Sequence, residues 1–400
     1  MSRPLHVVQV GYDDSVFAEN APSDTLQRQV GYGRELAGQR PGSRMTVIMF
    51  TNRPDARRLQ QENVVFVPVH GKRTHELPKL FPCLVSLHRE RPIDVIATQT
   101  IYYDAWIALL FGRLHHINVI GQAHYDFFTA NTWVGAHGGG LLSRARRSLG
   151  LHMMRHLFAM RVVSKRVMTR MLAERLHDNV HLVGIPATIP PPTELERQLD
   201  SPKSTVLFVG RLIPVKNLNL WMQVAAKTAA AHPTVSFDIV GDGPLREELE
   251  ALAEQLNIAE RVRFRGFVSY DQLPPVYASA AAFLITSQSE GLPRVVMEAS
   301  LQGVPIVGPR IAGVEDIVED GKSGFLHASG DIDGMAGSIV KLLLDEQLRR
   351  TMGRAGHEIV KNCFSAERLS RAWVSLLISG ARDVERPAAS SAQMNASQGS

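Results

Sequence analysis

The chain has 400 residues, of which 44% are hydrophobic, and a formal net charge of +5. This length and apolar content predict two domains with separate cores. The two cysteines are too few for a disulfide framework and lack the spacing of a zinc site, so we expect a cytoplasmic protein. No run of roughly eighteen apolar residues occurs, which predicts that no helix spans a membrane.

The positive charge is unevenly distributed along the chain. Residues 1–190 hold 23 Lys/Arg and 14 Asp/Glu, whereas the remainder holds 21 and 25. Nine basic residues lie between Leu141 and Arg175, where Glu174 is the only acid, so we expect an anionic partner for this segment. Nucleic acid is not the expected partner, because the chain has no recognised nucleic-acid motif and few aromatic residues interleave these cations.

In the first half of the chain, short β-branched segments alternate with helical patterns. The predicted strands are HVVQV, MTVIMF, VVFVPV, IDVIAT, INVIG and MRVVS. This alternation predicts a Rossmann-like domain over residues 1–190, with a parallel sheet flanked by helices. The prolines and polar residues of VGIPATIPPPTELERQLDSPKS block both helix and central strand, which predicts a linker over residues 184–203.

The same pattern returns over residues 204–365. The predicted strands are TVLFVG, VSFDIVG, VRFRGF, AAFLIT and VPIVG, and LREELEALAEQL has leucines at helical spacing. The predicted fold class is therefore α/β, with two doubly wound domains. Ligands of such folds bind beyond the carboxyl ends of the strands, so we expect the active site in a cleft between two facing sheets. The small, polar segment 382–400 is predicted to be disordered.

The segment SQSEGLPRVVMEAS contains two glutamates, Glu290 and Glu298, on either side of a predicted helix start. Pro293 suits the first helical position, so the N–H groups of residues 294–296 would face a ligand and favour phosphate. Glu298 could then accept hydrogen bonds from two ribose hydroxyls, and Glu290 from an attached sugar. The ligand suggested is a nucleoside diphosphate sugar. Alternatively, both glutamates only add negative charge and polarity at a helix start.

The segment FVGRLIPVKNL predicts a strand that ends in Gly210 and is followed by two cations. The glycine permits close backbone approach, while Arg211 and Lys216 could together neutralise a departing diphosphate. The alternative is a pair of solvated surface cations.

Four segments taken together resemble, in order and spacing, the retaining glycosyltransferases of family 4. They are VGRLIPVKN, IVGDGPLREEL, RFRGFV and SEGLPRVVMEASLQGVPIVGPRIAGVEDIVEDGKSGFL. The Glu-x7-Glu signature of that family corresponds to Glu290 and Glu298, and the resemblance extends from residue 204 to about residue 378. It implies the GT-B fold, two Rossmann-like domains facing across a cleft, with a last helix over residues 366–381 that returns to the first domain.

The resemblance also implies roles for individual residues. Glu298 would bind the ribose, Glu290 the transferred sugar, and Arg211 with Lys216 the diphosphate. The backbone around Phe267 and Val268 would lie near the base. The remaining donor-binding candidates are Gly210, Gly291, Leu292, Pro293, Arg294 and Val295. Such enzymes retain the anomeric configuration without an established enzymic nucleophile, so stabilisation of the leaving group carries much of the catalysis. No cofactor is implied, and we expect the reaction to be metal-independent.

The first domain matches this family less well. It lacks the glycine-rich loop that commonly follows the first strand, and Gly11 is the only remnant. In VIGQAHYDFF the predicted strand ends in His124, with Asp126 two residues further, which resembles the strand-end histidine that contacts the donor sugar near the reacting carbon. His124 is therefore a catalytic candidate, and the alternative is a structural histidine satisfied by loop backbone.

The basic segment of the first domain has two interpretations. Arg144, Arg146 and Arg147 could attach the protein to anionic lipid or to a lipid-linked acceptor, which would place it on the inner face of the cytoplasmic membrane. The apolar residues of this segment do not form one stripe, however, and a solvated helix face remains the alternative.

The segment GDIDG contains Asp-x-Asp, the metal-binding signature of a different glycosyltransferase fold. Because it precedes a predicted helix, we interpret Asp331 or Asp333 as a helix N-cap and predict no metal site.

The sequence therefore predicts a retaining glycosyltransferase of EC class 2.4. It would move a sugar from a nucleoside diphosphate donor to a growing polysaccharide or lipid-linked glycan. A GT-B epimerase, a phosphorylase and a non-catalytic GT-B subunit remain as alternatives. Presence of Glu290, Glu298, Arg211 and Lys216 together argues against the last of these.

Overall fold

The computed structural model describes residues 3–17, 24–71, 77–101, 103–124, 128, 141–187, 189–201 and 203–381. For Asp14, Leu77 and residues 141–147 it describes the backbone alone. The described chain forms two sheets, and helices pack on both faces of each.

The first sheet has eight strands. They are β1 His6–Gly11, β2 Arg44–Thr51, β3 Leu59–Gln61, β4 Val64–His70, β5 Val95–Thr98, β6 Asn118–Ala123, β7 Ala159–Val162 and β8 Val180–Leu182. Their order across the sheet is β3-β4-β2-β1-β5-β6-β7-β8, and every pairing is parallel except that of β3 with β4. Side chains of β1 and β5 are buried along their whole length, as expected for central strands covered on both faces.

The second sheet has six strands, all parallel. They are β9 Thr205–Val209, β10 Ser236–Val240, β11 Val262–Gly266, β12 Ala280–Leu284, β13 Ile306–Pro309 and β14 Gly324–His327. Their order is β11-β10-β9-β12-β13-β14. The strand order reverses direction at β9, and in doubly wound sheets this is the place where ligands bind.

Helices cover both sheets. In the first domain and the linker they are α1 Asp24–Gln39, α2 Leu80–Glu90, α3 Tyr103–His115, α4 Leu141–Met154, α5 Lys165–Ala173 and α6 Leu195–Asp200. In the second domain they are α7 Leu218–Ala231, α8 Arg246–Gln255, α9 Leu273–Ala278, α10 Arg294–Leu301, α11 Ile332–Leu344 and α12 Glu346–Cys363, followed by α13 Ala366–Gly380. Short 3-10 turns lie at Asp14–Phe17, Leu77–Lys79, Pro214–Lys216, Ala259–Arg261 and Tyr270–Gln272.

The last helix, α13, packs on the first sheet rather than on the second. Trp373 and Leu377 are fully buried there and share a core with Leu5 and Val95. Gly380 ends the helix against Asn118, whose Nδ2 donates to the Gly380 carbonyl oxygen over 2.9 Å. The chain therefore crosses between the domains twice, once in the linker and once before α13.

Three strands are not predicted from the sequence: β3, β8 and β14. Each has three or four residues and lies at the edge of its sheet, where a short segment pairs on one side only and no long apolar run is needed. The prediction that the linker excludes helix is wrong in one part, because α6 forms inside it. Its sequence follows Pro190–Pro192 and contains no proline, so nothing prevents a turn of helix.

Candidate active site

The predicted glutamate segment lies where β12 meets α10, at the carboxyl end of a central strand. The helix begins one residue later than the sequence suggests, because Pro293 has an extended conformation and is the N-cap. The expectation that the N–H of Val296 faces a ligand is wrong, since it is donated to the Pro293 carbonyl over 3.1 Å. The N–H of Val295, on the first turn, has no acceptor among the residues described.

Glu298 lies one turn inside α10 and is only 3% exposed. Its Oε2 accepts a hydrogen bond of 2.8 Å from the Tyr277 hydroxyl, and its Oε1 lies 3.3 Å from Nη2 of Arg294. Burial raises the pKa of Glu298, an effect that Arg294 and Tyr277 partly offset. Burial and the neighbouring Glu298 also raise the pKa of Tyr277 well above its usual value, so Tyr277 remains a hydrogen-bond donor.

Lys216 and Glu290 are brought together by two loops at the ends of adjacent strands β9 and β12. Nζ of Lys216 lies 2.6 Å from Oε1 of Glu290, and both side chains are largely buried. The hydroxyl of Thr286 donates to the carbonyls of Lys216 and Asn217, and Gln288 N–H donates to the carbonyl of Val215. These bonds hold the two loops in register, so the pair is fixed by backbone as well as by charge.

Arg211 is exposed at the end of β9 and has no ion-pair partner in the described part of the chain. Behind it, the turn at Gly241 approaches so closely that a Cβ there would clash with the carbonyl of Gly210, and Gly241 also has a φ of 124°. A Cβ at Gly243 would clash with Leu212. The GDGP turn therefore supports the loop that carries Arg211, a structural role for glycines whose spacing alone is a weak signal.

Phe267 and Val268 follow β11 at the same edge of the second sheet. Phe267 is 82% exposed, which is unusual for a phenylalanine, and Gly266 before it has a φ of 66° that turns the chain outward. A ring so exposed offers a flat face on which a nucleobase could stack.

Gly291 and Leu292 are buried beneath the loop that precedes α10, and Val295 is partly buried on its first turn. The backbone of Gly291 is in such close contact with Gly313 that a Cβ on Gly313 would overlap the Gly291 carbonyl, and the φ of 81° at Gly313 also requires glycine. This loop after β13 supports the site from below, and the sequence analysis does not single it out.

His124 follows β6 in the first domain. Burial, together with the guanidinium groups of Arg161 and Arg28, lowers the pKa of His124 well below its usual value of 6.5, so the ring is neutral at pH 7. Its Nδ1 is buried and has no hydrogen-bond partner among the residues described. A neutral imidazole with an unused ring nitrogen can bind a sugar hydroxyl.

His124 opens onto a polar cavity of about 250 Å³ in the first domain. Side chains from β1, β2, β6, β7 and α1 meet there, joined by Gln99 from the loop after β5 and by Arg294 from the second domain. The lining comprises Gln9, Val10, Gly11, Asp13, Thr25, Arg28, Gln29, Tyr32, Val47, Gln99, Gln122, His124, Arg161, Ile185 and Arg294. Sequence analysis identifies only Gly11, His124 and Arg294 of these, although an arginine inside the apolar strand AMRV is a signal that could have pointed to Arg161.

Arg294 connects the two domains. Its Nη1 lies 2.6 Å from Oδ2 of Asp24, at the start of α1, and Asp24 also accepts from Arg28 over 3.0 Å. The electrostatic attraction of Asp24 and Glu298 raises the pKa of Arg294 despite its burial. Arg294, which the sequence analysis assigns to the donor site, thus also contacts the first domain.

Several predicted residues fall outside these contacts. Arg144, Arg146 and Arg147 lie on α4, but their side chains are outside the described part of the structure, as is the whole of Asp126. Asp331 caps α11 by accepting a hydrogen bond of 2.9 Å from Gly334 N–H, as predicted, and Asp333 pairs with Lys227. Among the described residues no group of three or more His, Cys, Asp or Glu side chains could hold a metal ion. None of the described helices is both long and apolar enough to cross a bilayer.

Residues 193–359 match the family model of group 1 glycosyl transferases. This match covers the end of the linker and most of the second domain. The chain is 32% identical over 184 residues to the lipopolysaccharide core biosynthesis glycosyltransferase LpsE of Rhizobium meliloti, a match that covers 46% of this chain and 52% of that relative. The chain thus spans about half the length of this curated relative.

Solved structures resemble the whole chain. The sucrose-phosphate synthase of Thermosynechococcus elongatus superposes with a TM-score of 0.77 at 18% identity, covering 94% of this chain and 98% of the other. The Anabaena protein HepE in complex with UDP gives a TM-score of 0.71 at 18% identity, covering 94% and 100%. The predicted fold class is confirmed: the chain has the GT-B fold, with two Rossmann-like domains.

Proposed function

We propose that this protein is a retaining glycosyltransferase that moves a hexose from a nucleoside diphosphate to a glycan acceptor. The observation that carries the proposal is the pairing of Lys216 with Glu290 at 2.6 Å, one helical turn and a loop away from the buried Glu298. A cation for the leaving group, a carboxylate for the transferred sugar and a second carboxylate for the ribose then lie along the carboxyl edge of one sheet. The chain's similarity to LpsE and to HepE bound to UDP supports the same class of reaction.

In this mechanism the second domain stabilises the departing diphosphate. The donor phosphates displace Glu290 from part of the Lys216 ammonium, and Arg211 and the Val295 N–H add further donors. Glu290 remains available to the hydroxyls of the sugar. With the leaving group stabilised on one face, a phosphate oxygen takes the proton of the incoming acceptor hydroxyl on that same face, and the anomeric configuration is retained.

His124 and Glu298 bind without changing charge. The neutral imidazole of His124 bonds a hydroxyl of the donor sugar, because a charged ring would repel Arg161 and Arg28. Glu298 holds the ribose, while Tyr277 and Arg294 fix the orientation of its carboxylate. No metal ion takes part, since Lys216 and Arg211 supply the positive charge that the diphosphate needs.

We also propose that the acceptor is part of a polysaccharide or a lipid-linked glycan and that the protein attaches peripherally to a membrane surface. Near the C-terminal end of α3, Leu110 and Leu114 are 56% and 62% exposed. Desolvation and, after it, the charge of the exposed Arg113 on α3 lower the pKa of His156, two residues after α4, so α3 and the segment that follows α4 share one surface. Exposed leucines beside arginines are typical of contacts with anionic lipid.

Attachment is measured by sedimentation with vesicles that contain anionic lipid. We expect Leu110→Glu combined with Leu114→Glu to reduce bound protein several-fold, and added salt to have the same effect. Leu344→Glu is the control, because Leu344 is at least as exposed, at 71%, but lies on the second domain. Equal binding of the double variant and the control would contradict attachment through this surface.

The reaction itself is tested by following UDP-, GDP- and ADP-sugars and CMP-sugars by NMR with and without glycan acceptors. Transfer predicts donor consumption that depends on acceptor, a product with unchanged anomeric configuration, and loss of both in Lys216→Ala. Conversion of the donor without any acceptor would instead identify an epimerase, and dependence on free phosphate a phosphorylase. Nucleotide binding with no turnover of any donor would favour a non-catalytic subunit.

A further inference from the structure

The cavity beside His124 is polar and enclosed on the first-domain side of the cleft. Its volume of about 250 Å³ is below that of sites for drug-sized ligands, which begin near 300 Å³, and suits one small polar group or sugar ring. Amide side chains of Gln9 on β1, of Gln122 on β6 and of Gln99, directly after β5, line it. Such amides are suited to hydroxyl groups, because each offers both donors and an acceptor.

Arg161 is the unusual member of the lining. It is 2% exposed in the middle of β7, and its guanidinium donates to the carbonyls of Val183 and Gly184, to Gln122 Oε1 and to the Tyr32 hydroxyl. All of these partners are neutral, and no carboxylate pairs with Arg161 in the ranges that the structure describes. An arginine keeps its charge, and a buried charge without a counter-ion is costly.

A second guanidinium adds to the positive potential of the cavity. Arg28 of α1 is largely buried, and its charge acts on both His124 and Arg161. Asp24 binds Arg28 over 3.0 Å but also binds Arg294, so one carboxylate is shared between two cations. Asp13, the one acid in the lining, is held by the hydroxyls of Ser15 and Thr25. Arg294 also pairs with Glu298, so Arg28 and Arg294 each contact a carboxylate, whereas Arg161 contacts none among the described residues.

Building on the proposed function, we propose that this cavity binds an anionic group carried on a sugar ring of the substrate. A carboxylate or phosphate there would lie against Arg161 and Arg28 and supply the counter-ion that Arg161 lacks, while the glutamines take the ring hydroxyls. The same chemistry is available from an acidic donor sugar, such as a uronic acid, or from an acidic sugar of the acceptor. The site selects against neutral sugars because they leave Arg161 without a counter-ion.

Two pairs of matched probes test this by isothermal titration at low ionic strength. The donor pair is UDP-glucuronate against UDP-glucose, and the acceptor pair is methyl glucuronide against methyl glucoside without nucleotide. In at least one pair we expect the anionic member to bind about tenfold more tightly, as a charge-assisted contact predicts. Arg28→Gln should abolish the preference, whereas Arg34→Gln, an exposed arginine on the same helix that pairs with Glu62, should keep it.

Equal binding of charged and neutral members in both pairs, or a preference that survives in Arg28→Gln, would overturn the inference. Arg28→Gln is chosen because Arg161 also holds β7 to the linker and Trp373, so its replacement could prevent folding. UDP alone is titrated in parallel. If the wild type binds UDP but shows no charge preference, only the anionic-sugar site is contradicted. If the wild type binds no nucleotide, the proposed function is contradicted. The glucuronide pair, measured without nucleotide, still tests the cavity in that case.

Discussion

The two sides of the cleft hold their charged groups in different ways. In the second domain, Lys216 pairs with Glu290 and Arg294 with Glu298, so these two cations each meet a carboxylate, while Arg211 stays exposed. In the first domain, Arg161 is surrounded by neutral acceptors, and Arg28 shares Asp24 with Arg294. The partly buried cations of the second-domain site are thus paired before a ligand enters, whereas Arg161 has no carboxylate partner among the described residues.

This difference follows from where the residues lie along the chain. The second-domain site consists of two loops and one helix start, each a short contiguous segment, held together by hydrogen bonds such as that from Thr286 to Lys216. The first-domain cavity collects single residues from four strands and α1, so it depends on the topology of the sheet rather than on any motif. The Lys216–Glu290 pair has to separate in part when a charged ligand binds, whereas Arg161, which has no paired carboxylate, attracts an anion directly.

The largest expected effect comes from removing the cation of the Lys216–Glu290 pair. Lys216→Ala should lower kcat by about 10²–10³, because the diphosphate loses a charge that is most important in the transition state. Lys227→Ala is the control, since Lys227 is exposed and pairs with Asp333 outside the site. Equal turnover of the folded Lys216→Ala protein and the control would exclude Lys216 from leaving-group stabilisation.

Replacing Arg161, the cation whose partners are all neutral, should lower the stability of the fold. Arg161→Gln should lower the free energy of unfolding by about 2–3 kcal/mol, because two buried carbonyls lose their donors. Denaturant unfolding measures this effect. Arg166→Gln breaks a half-exposed pair with Glu315 and should cost less than about 1 kcal/mol. If the two variants cost the same, Arg161 does not hold β7 to the linker.

The buried carboxylate of Glu298 should add a pH dependence to the free energy of unfolding that is present in the wild type and absent from Glu298→Gln. Because burial raises the pKa of Glu298 above its usual 4.5, the stability associated with the protonated carboxyl is complete below that pH. It is lost as pH rises through the higher pKa of the folded state. The free energy of unfolding of wild type relative to Glu298→Gln should therefore fall across this window. Parallel pH profiles of the two proteins would contradict the assignment.

The smallest expected effect comes from breaking the Asp24–Arg294 ion pair, which joins the two domains. Asp24→Asn should lower the free energy of unfolding by about 0.5–1 kcal/mol, because the partly buried Arg294 and Arg28 lose their shared carboxylate. Glu62→Gln, which breaks the exposed pair with Arg34, should change stability less. Thermal unfolding of both variants compares the contact between domains with the contact inside a domain. A larger effect of Glu62→Gln would show that the interdomain pair does not stabilise the protein.

Sequence reasoning predicts most of the second domain because its information is local. Its β9, β12 and β13 are largely apolar runs, β10 and β11 contain β-branched and aromatic residues, and the residues grouped around Glu290 and Lys216 do lie together. The exact helix start is missed because Pro293 fits both the N-cap and the first helical position. The roles assigned to these residues stay predictions.

The first-domain cavity escapes sequence reasoning for a physical reason. Arg161 looks like one more cation of a basic segment, and only the pairing of β6 with β7 places it beside Gln122 and under His124. Asp24 and Arg28 are spaced as an ordinary ion pair on the surface of a helix. Their contact with Arg294 depends on how two distant parts of the chain meet, which no local pattern encodes.

Equilibrium binding of nucleotides most directly tests the claim that the second domain holds the donor. The shift in melting temperature is measured with UDP, GDP, ADP and CMP and their sugar conjugates for the wild type, for Glu298→Gln and for the exposed control Glu247→Gln. We predict a selective shift with one nucleoside diphosphate that is retained in Glu247→Gln and lost in Glu298→Gln. The absence of a shift with every nucleotide, or an equal shift in Glu298→Gln, would contradict a donor site at this helix.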